Sequence, residues 1–156
     1  TARVLFVGPY QNVLGEEKYA QKLEPLIQAL GEHWTFLGVV SPVEMSAFFH
    51  LSEVTVLPSI NSTESFGLVQ VESLLCNTPV VASDLPGIRV PVQTTGSGLI
   101  VPPENASELA EAIIKVLDSP SNFHGNPQLI IEKSTPEAVG KIYEEFFMDL
   151  IHSNRQ

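Results

Sequence analysis

Short apolar runs alternate along the chain with longer stretches in which apolar residues recur every three or four positions. That alternation is the signature of strands and helices following one another around a parallel sheet. The first run, Val4 to Val7, closes at Gly8-Pro9, and a polar loop leads to Gly15. Tyr19, Leu23, Leu26, Ile27 and Leu30 then repeat at helical spacing. Pro25 lies inside that pattern and predicts a kink or a restart, because proline lacks the donor and crowds the preceding turn. Gly31 predicts the stop. Trp34 to Val40 reads as the second strand. Ser41-Pro42-x-Glu44 reads as a helix start capped by Ser41, with Met45, Phe48 and Phe49 as the apolar face. Val54 to Leu57 predicts the third strand and residues 58–65 a polar loop. A helix is expected from about Phe66 to Cys76, with Val69, Val71, Leu74 and Leu75 inward. Pro79 to Ala82 reads as a buried strand, and residues 85–92 as a short segment open to a helical or an irregular form. Leu99 to Val101 reads as a fifth strand. An amphipathic helix is expected over 106–118, a loop over 119–127 and a long last helix over 136–152. The chain has no repeat, low-complexity tract or internal linker. The expected fold class is therefore α/β: a Rossmann-like three-layer sandwich on a parallel sheet of about five strands, in a single domain of residues 1–156.

Charge and composition narrow the function. Eight Lys and Arg against eighteen Asp and Glu leave a net charge of −10. The basic residues are scattered from Arg3 to Arg155, which argues against an electrostatic nucleic-acid binder. A hydrophobic content of 44% with 17% charged residues argues against a disordered chain. The single cysteine, Cys76, has no partner for an internal disulfide, so a reducing, cytoplasmic setting is expected. No apolar run reaches the roughly 18 residues of a membrane span. The opening Thr1-Ala-Arg-Val-Leu-Phe6 lacks a signal-peptide layout and enters a strand at once, so the chain is expected to be cut from something longer.

In open α/β sheets, ligands bind beyond the carboxyl ends of the strands. The most unusual loop there is the third, Thr63-Glu-Ser-Phe-Gly-Leu-Val-Gln-Val-Glu72. Glu64 is placed in the loop and Glu72 two turns inside the following helix. Gly67 is placed in that helix's first turn, where glycine costs about 1 kcal/mol against alanine. Close approach of a ligand to the backbone would explain it. The amides of Phe66, Gly67 and Leu68 would then meet an anion such as a diphosphate at the helix tip. On the residues alone a bland alternative stays open, with Glu64 a solvated loop residue and Glu72 on an exposed helix face. His33, His50, His124 and His152 share no metal-ligand spacing, and Cys76 reads as a small core residue. No Gly-x-Gly-x-x-Gly follows the first strand. Arg89 is open to a phosphate contact or a pairing with Asp84.

Glu64-Ser-Phe-Gly-Leu-(x)3-Glu72, followed by Leu74-Leu-Cys-Asn-Thr-Pro-Val-Val-Ala-Ser83, resembles the Glu-x7-Glu motif of retaining glycosyltransferases of family four, which have the two-Rossmann GT-B fold. Phe36 to Ser41, Val56-Leu-Pro-Ser59, Asp84 to Arg89 and Thr95 to Pro103 are similar to further phrases of that family, in the same order. The resemblance implies the C-terminal, donor-binding domain of an enzyme that transfers a sugar from a nucleotide-diphosphate sugar to an acceptor hydroxyl with retention. It implies that Glu64 is catalytic and holds donor-sugar hydroxyls. Ser65, Phe66, Gly67 and Leu68 would bind the donor, partly through backbone amides, and Glu72 would accept the ribose hydroxyls. Val39 and Val40 stand where the family holds the base. It implies no metal and no cofactor, the nucleotide-sugar being a substrate.

Three departures qualify the match. The family's first strand of this domain, with its Gly-Arg-(x)4-Lys clamp, has no counterpart, nor does the amino-terminal acceptor domain. Val90 follows Arg89 where many relatives carry glutamate, and Ser65 stands where glycine is commoner. The isolated chain is therefore expected to be inactive, with membrane association only through the absent half. The strands at residues 3–8 and 54–57 are expected to close up or to leave a gap. A non-catalytic nucleotide- or sugar-binding module of the same fold is the alternative reading.

Overall fold

A computed structural model describes residues 2–10, 17–61 and 64–153. Thr63 and the loop at 11–15 lie outside the described residues. The chain divides into two compact units, Thr1–Met45 and Ser46–Gln156.

In the first unit, β1 (Val4–Val7) pairs in parallel with β2 (Trp34–Gly38). Between them runs α1 (Glu17–Leu30), followed by a 3-10 turn at Gly31–His33. The register sets Val4 beside Trp34 and Phe6 beside Phe36, so alternation puts all four on one face. Phe6 meets Phe36 edge-on at 5.4 Å, and Tyr10 stacks on Phe36 at 4.1 Å. β2 ends at Gly38, two residues before the expected Val40. α1 continues through Pro25 rather than restarting. Gln21 and Pro25 are both exposed, so water can satisfy the carbonyl that proline leaves unpaired. α2 (Pro42–Leu51) starts as expected. The Glu44 N–H donates to Ser41 Oγ at 3.3 Å, and the Ser41 N–H donates to Glu44 Oε2 at 2.8 Å, a reciprocal capping box. Hydrogen bonding to the carboxyl from Ser41, its backbone N–H first and then its side chain, holds Glu44 below its ordinary range.

In the second unit, β3 (Thr55–Leu57), β4 (Val80–Ser83) and β5 (Gly98–Val101) form a parallel sheet with β4 in the middle. Thr55 pairs with Val80, and Val80 with Gly98. Every residue of β4 is buried, as in a parallel sheet covered on both faces. On one face Val80 and Ala82 pack with Leu74 of α3 (Leu68–Leu75), Ile88, and Val92 of α4 (Val90–Thr95). On the other, Val81 and Val101 pack with Ala112 and Val116 of α5 (Ala106–Asp118). This is the three-layer sandwich the sequence predicts. Among the described residues the five strands lie in two sheets, β1-β2 and β3-β4-β5.

The chain closes with α6 (Gln128–Ser134) and α7 (Pro136–Ser153). The sequence reading missed α6, along with a 3-10 turn at Pro120–Phe123 inside the expected loop.

The helix expected from Phe66 begins at Leu68, with Gly67 before it in the left-handed conformation, φ 73°. Phe66 and Gly67 are therefore loop, not first turn. The inward face of α3 is Gln70, Ser73 and Leu74, whereas Leu75 is exposed. The far end closes as a Schellman motif: Thr78 N–H donates to Ser73 O and Asn77 N–H to Leu74 O, with Asn77 at φ 62°.

Candidate functional site

The loop that carries Glu64 follows β3 and runs into α3. Glu64 and Ser65 are exposed, Phe66 is half-buried and Gly67 is buried. Gly67 has two reasons to be glycine. Its φ is one that side chains resist, and an added Cβ would stand 2.5 Å from Gln70 Nε2 and 2.7 Å from Leu57 Cδ2. The Gly67 N–H is not free: it donates to Glu64 Oε1 at 3.0 Å. Leu68 and Val69 open the helix, where N–H groups lack intrahelical partners. The Leu68 side chain is 71% exposed, so the first residue of α3 lies at the surface. Glu72 is exposed one turn beyond Leu68, on the same stripe. Helix geometry thus aligns Glu72 with Leu68 at the helix start.

The neighbouring loop, after β4, approaches this one closely. Gly87 lies against the Ser65 carbonyl, and a Cβ there would overlap that oxygen. Arg89 pairs with Asp84 at 2.7 Å, both half-exposed. Val39 and Val40 lie in the first unit, between β2 and α2, with Val39 80% exposed. Among the described residues, no group of three or more His, Cys, Asp or Glu side chains could hold a metal ion.

Sequence reasoning passed over two residues here. Gln70 was hidden because Val69 and Val71 looked like the inward positions. The 70, 73, 74 spacing, which repeats at helical period, was the available signal. Gly87 gave no signal beyond its place in a Pro-Gly turn.

The sequence pattern of the family described as "Glycosyl transferases group 1" matches residues 2–134. The chain belongs to that family. Group 1 glycosyl transferases similar to it include the phosphatidyl-myo-inositol mannosyltransferase of Mycobacterium leprae, 36% identical over 62% of this chain and 26% of the relative. Among solved structures, the sucrose-phosphate synthase of Thermosynechococcus elongatus superposes with a TM-score of 0.75 at 28% identity, over 97% of this chain and 39% of that one. HepE of Anabaena, in complex with UDP-glucose, superposes with a TM-score of 0.72 at 25% identity, over 96% of this chain and 41% of that one. The fold is that of a C-terminal GT-B domain. The chain spans about a quarter of the mannosyltransferase and two-fifths of the solved chains.

Proposed function

We propose that this group 1 glycosyl transferase chain is the donor-binding part of a retaining enzyme that moves a sugar from a nucleotide-diphosphate sugar to an acceptor hydroxyl. The observation that carries the reading is the surface start of α3, where Leu68, Glu64 and Glu72 are all exposed. HepE, similar in fold and 25% identical, is solved with UDP-glucose, which supports a nucleotide-sugar as ligand.

In this reading the diphosphate meets N–H groups at the start of α3, where the helix dipole favours an anion. Glu72 accepts the ribose hydroxyls. Glu64 holds donor-sugar hydroxyls and its charge opposes the positive charge that builds at the anomeric carbon. Ser65 and Phe66 line the sugar through backbone; for Val39 and Val40, in the first unit, contact with the base rests on the family resemblance of their segment alone. The diphosphate leaves without a metal. The acceptor is held by an amino-terminal domain of the longer cytoplasmic enzyme, and the isolated chain transfers nothing.

Titration of the labelled chain with uridine, guanosine and adenosine diphosphates tests the binding. Amide shifts at residues 64–72 that are abolished in Glu72→Ala support it, and no shift in that stretch with any of the three at millimolar concentration rejects it. In the longer enzyme, Glu64→Ala is expected to lower kcat at least about a hundredfold. Unchanged kcat rejects the role given to Glu64.

A further inference from the structure

Gln70 is fully buried, three residues into the turn where α3 leaves the Glu64 loop. A glutamine at that position can reach back to the N–H of the cap residue. Here the Gly67 N–H is already held by Glu64, and Gln70 instead uses its other end. Its Nε2 donates to Phe66 O at 3.2 Å and to Ile88 O at 3.0 Å. Two carbonyls facing one group fix the amide's orientation, since its oxygen could accept from neither. Both N–H donors are thereby spent, one on each of two loops. The amide oxygen is buried and has no partner among the described residues, so the side chain is not there for its own satisfaction. The two loops also touch where Gly87 meets the Ser65 carbonyl. Gly67 leaves room for the Gln70 amide itself.

We propose that Gln70 is a positioning residue: it locks the Glu64–Gly67 loop to the Leu85–Arg89 turn, so that the groups offered to a nucleoside diphosphate sugar are held as one rigid body with the turn that carries Arg89. The inference rests on the donor-site reading above. A ligand that settles on the first loop is then felt in the second, through the Gln70 amide in addition to the Gly87–Ser65 contact. Without the lock, ordering the two loops falls on the ligand and weakens its binding.

The test is titration of the isotope-labelled chain with uridine diphosphate, in wild type and in Gln70→Met, which keeps length and loses both donors. In wild type the Gln70 side-chain amide protons exchange slowly, and they move along the same binding curve as the amides of 64–68. In Gln70→Met the Kd rises about tenfold or more, the scale of one to two lost hydrogen bonds. The shifts of the Ile88 and Arg89 amides also disappear, while the Val80–Ser83 amides keep their wild-type positions. A merely structural role would not uncouple one loop from the other in a folded variant. An unchanged Kd, with Ile88 and Arg89 still responding, overturns the proposal and leaves the donor site standing. If Gln70→Met does not fold, wild type decides alone: side-chain protons that exchange freely, or stay still while 64–68 move, overturn it. No shift at 64–72 in wild type removes the donor site and this proposal together.

Discussion

The two units use the same βαβ vocabulary to different effect. In the second, β4 has neighbours on both edges and helices on both faces, and Val80, Val81 and Ala82 are 0% exposed. In the first, β1 and β2 form a two-stranded parallel pair in which Val4 and Leu5 remain 44% exposed, and neither strand nor α1 holds a buried residue. Parallel strands are stable when both faces are covered and more than two strands share the sheet. The lesson is that apolar content does not make a core; a strand order that closes both faces does. The candidate site takes its rigidity from the unit where that closure exists.

That contrast can be tested by mutation. The largest effect is expected from Leu74→Ala, which empties a fully buried position against β4 and should cost about 2–5 kcal/mol of unfolding free energy in urea. Leu5→Ala in β1 should cost about 1 kcal/mol or less, given its exposure; equal losses would break the comparison. Gly67→Ala is expected to cost about 1–3 kcal/mol, from left-handed strain and the approach to Gln70 and Leu57. Asn105→Ala should cost about 1 kcal/mol, because Asn105 Oδ1 accepts from the Glu108 N–H at 3.1 Å at the start of α5. The smallest effect concerns pH in the first unit. The Glu44 carboxyl is held low by Ser41, so its contribution is complete above the unfolded carboxyl's ordinary pKa and is lost as pH falls through the lower folded value. The protection factor of the Ser41 amide, its rate taken relative to intrinsic exchange at the same pH, should therefore fall on acidification, and Glu44→Gln should flatten that dependence.

Much of the second unit was legible because its signals are local. Val80 to Ala82 announced an all-apolar central strand, and the 109, 113, 114, 117 spacing announced α5, although Ile114 is exposed and Ala112 and Val116 carry the buried stripe; in the first unit, Ser41 and Glu44 announced a cap. The Glu64 loop was legible as a place but not as a geometry. A glycine's backbone angle is not written in its neighbours, so Gly67 was placed one position too deep in the helix. Gln70 was misjudged for a related reason: its burial depends on two carbonyls, Phe66 and Ile88, and one of them is 18 residues away in sequence. α6 was missed because Gln128 to Ser134 is only seven residues long, too short for its periodicity to separate from a loop.

The contact between Glu64 and Gly67 bears on any titration of this loop. One N–H has one strong acceptor at a time, and here the acceptor is a carboxylate tethered three residues away. An arriving anion that takes that donor evicts an internal rival present at high effective concentration, instead of displacing water. Measured affinity is then the balance of an exchange between two anions, and the evicted carboxylate becomes available for a different task.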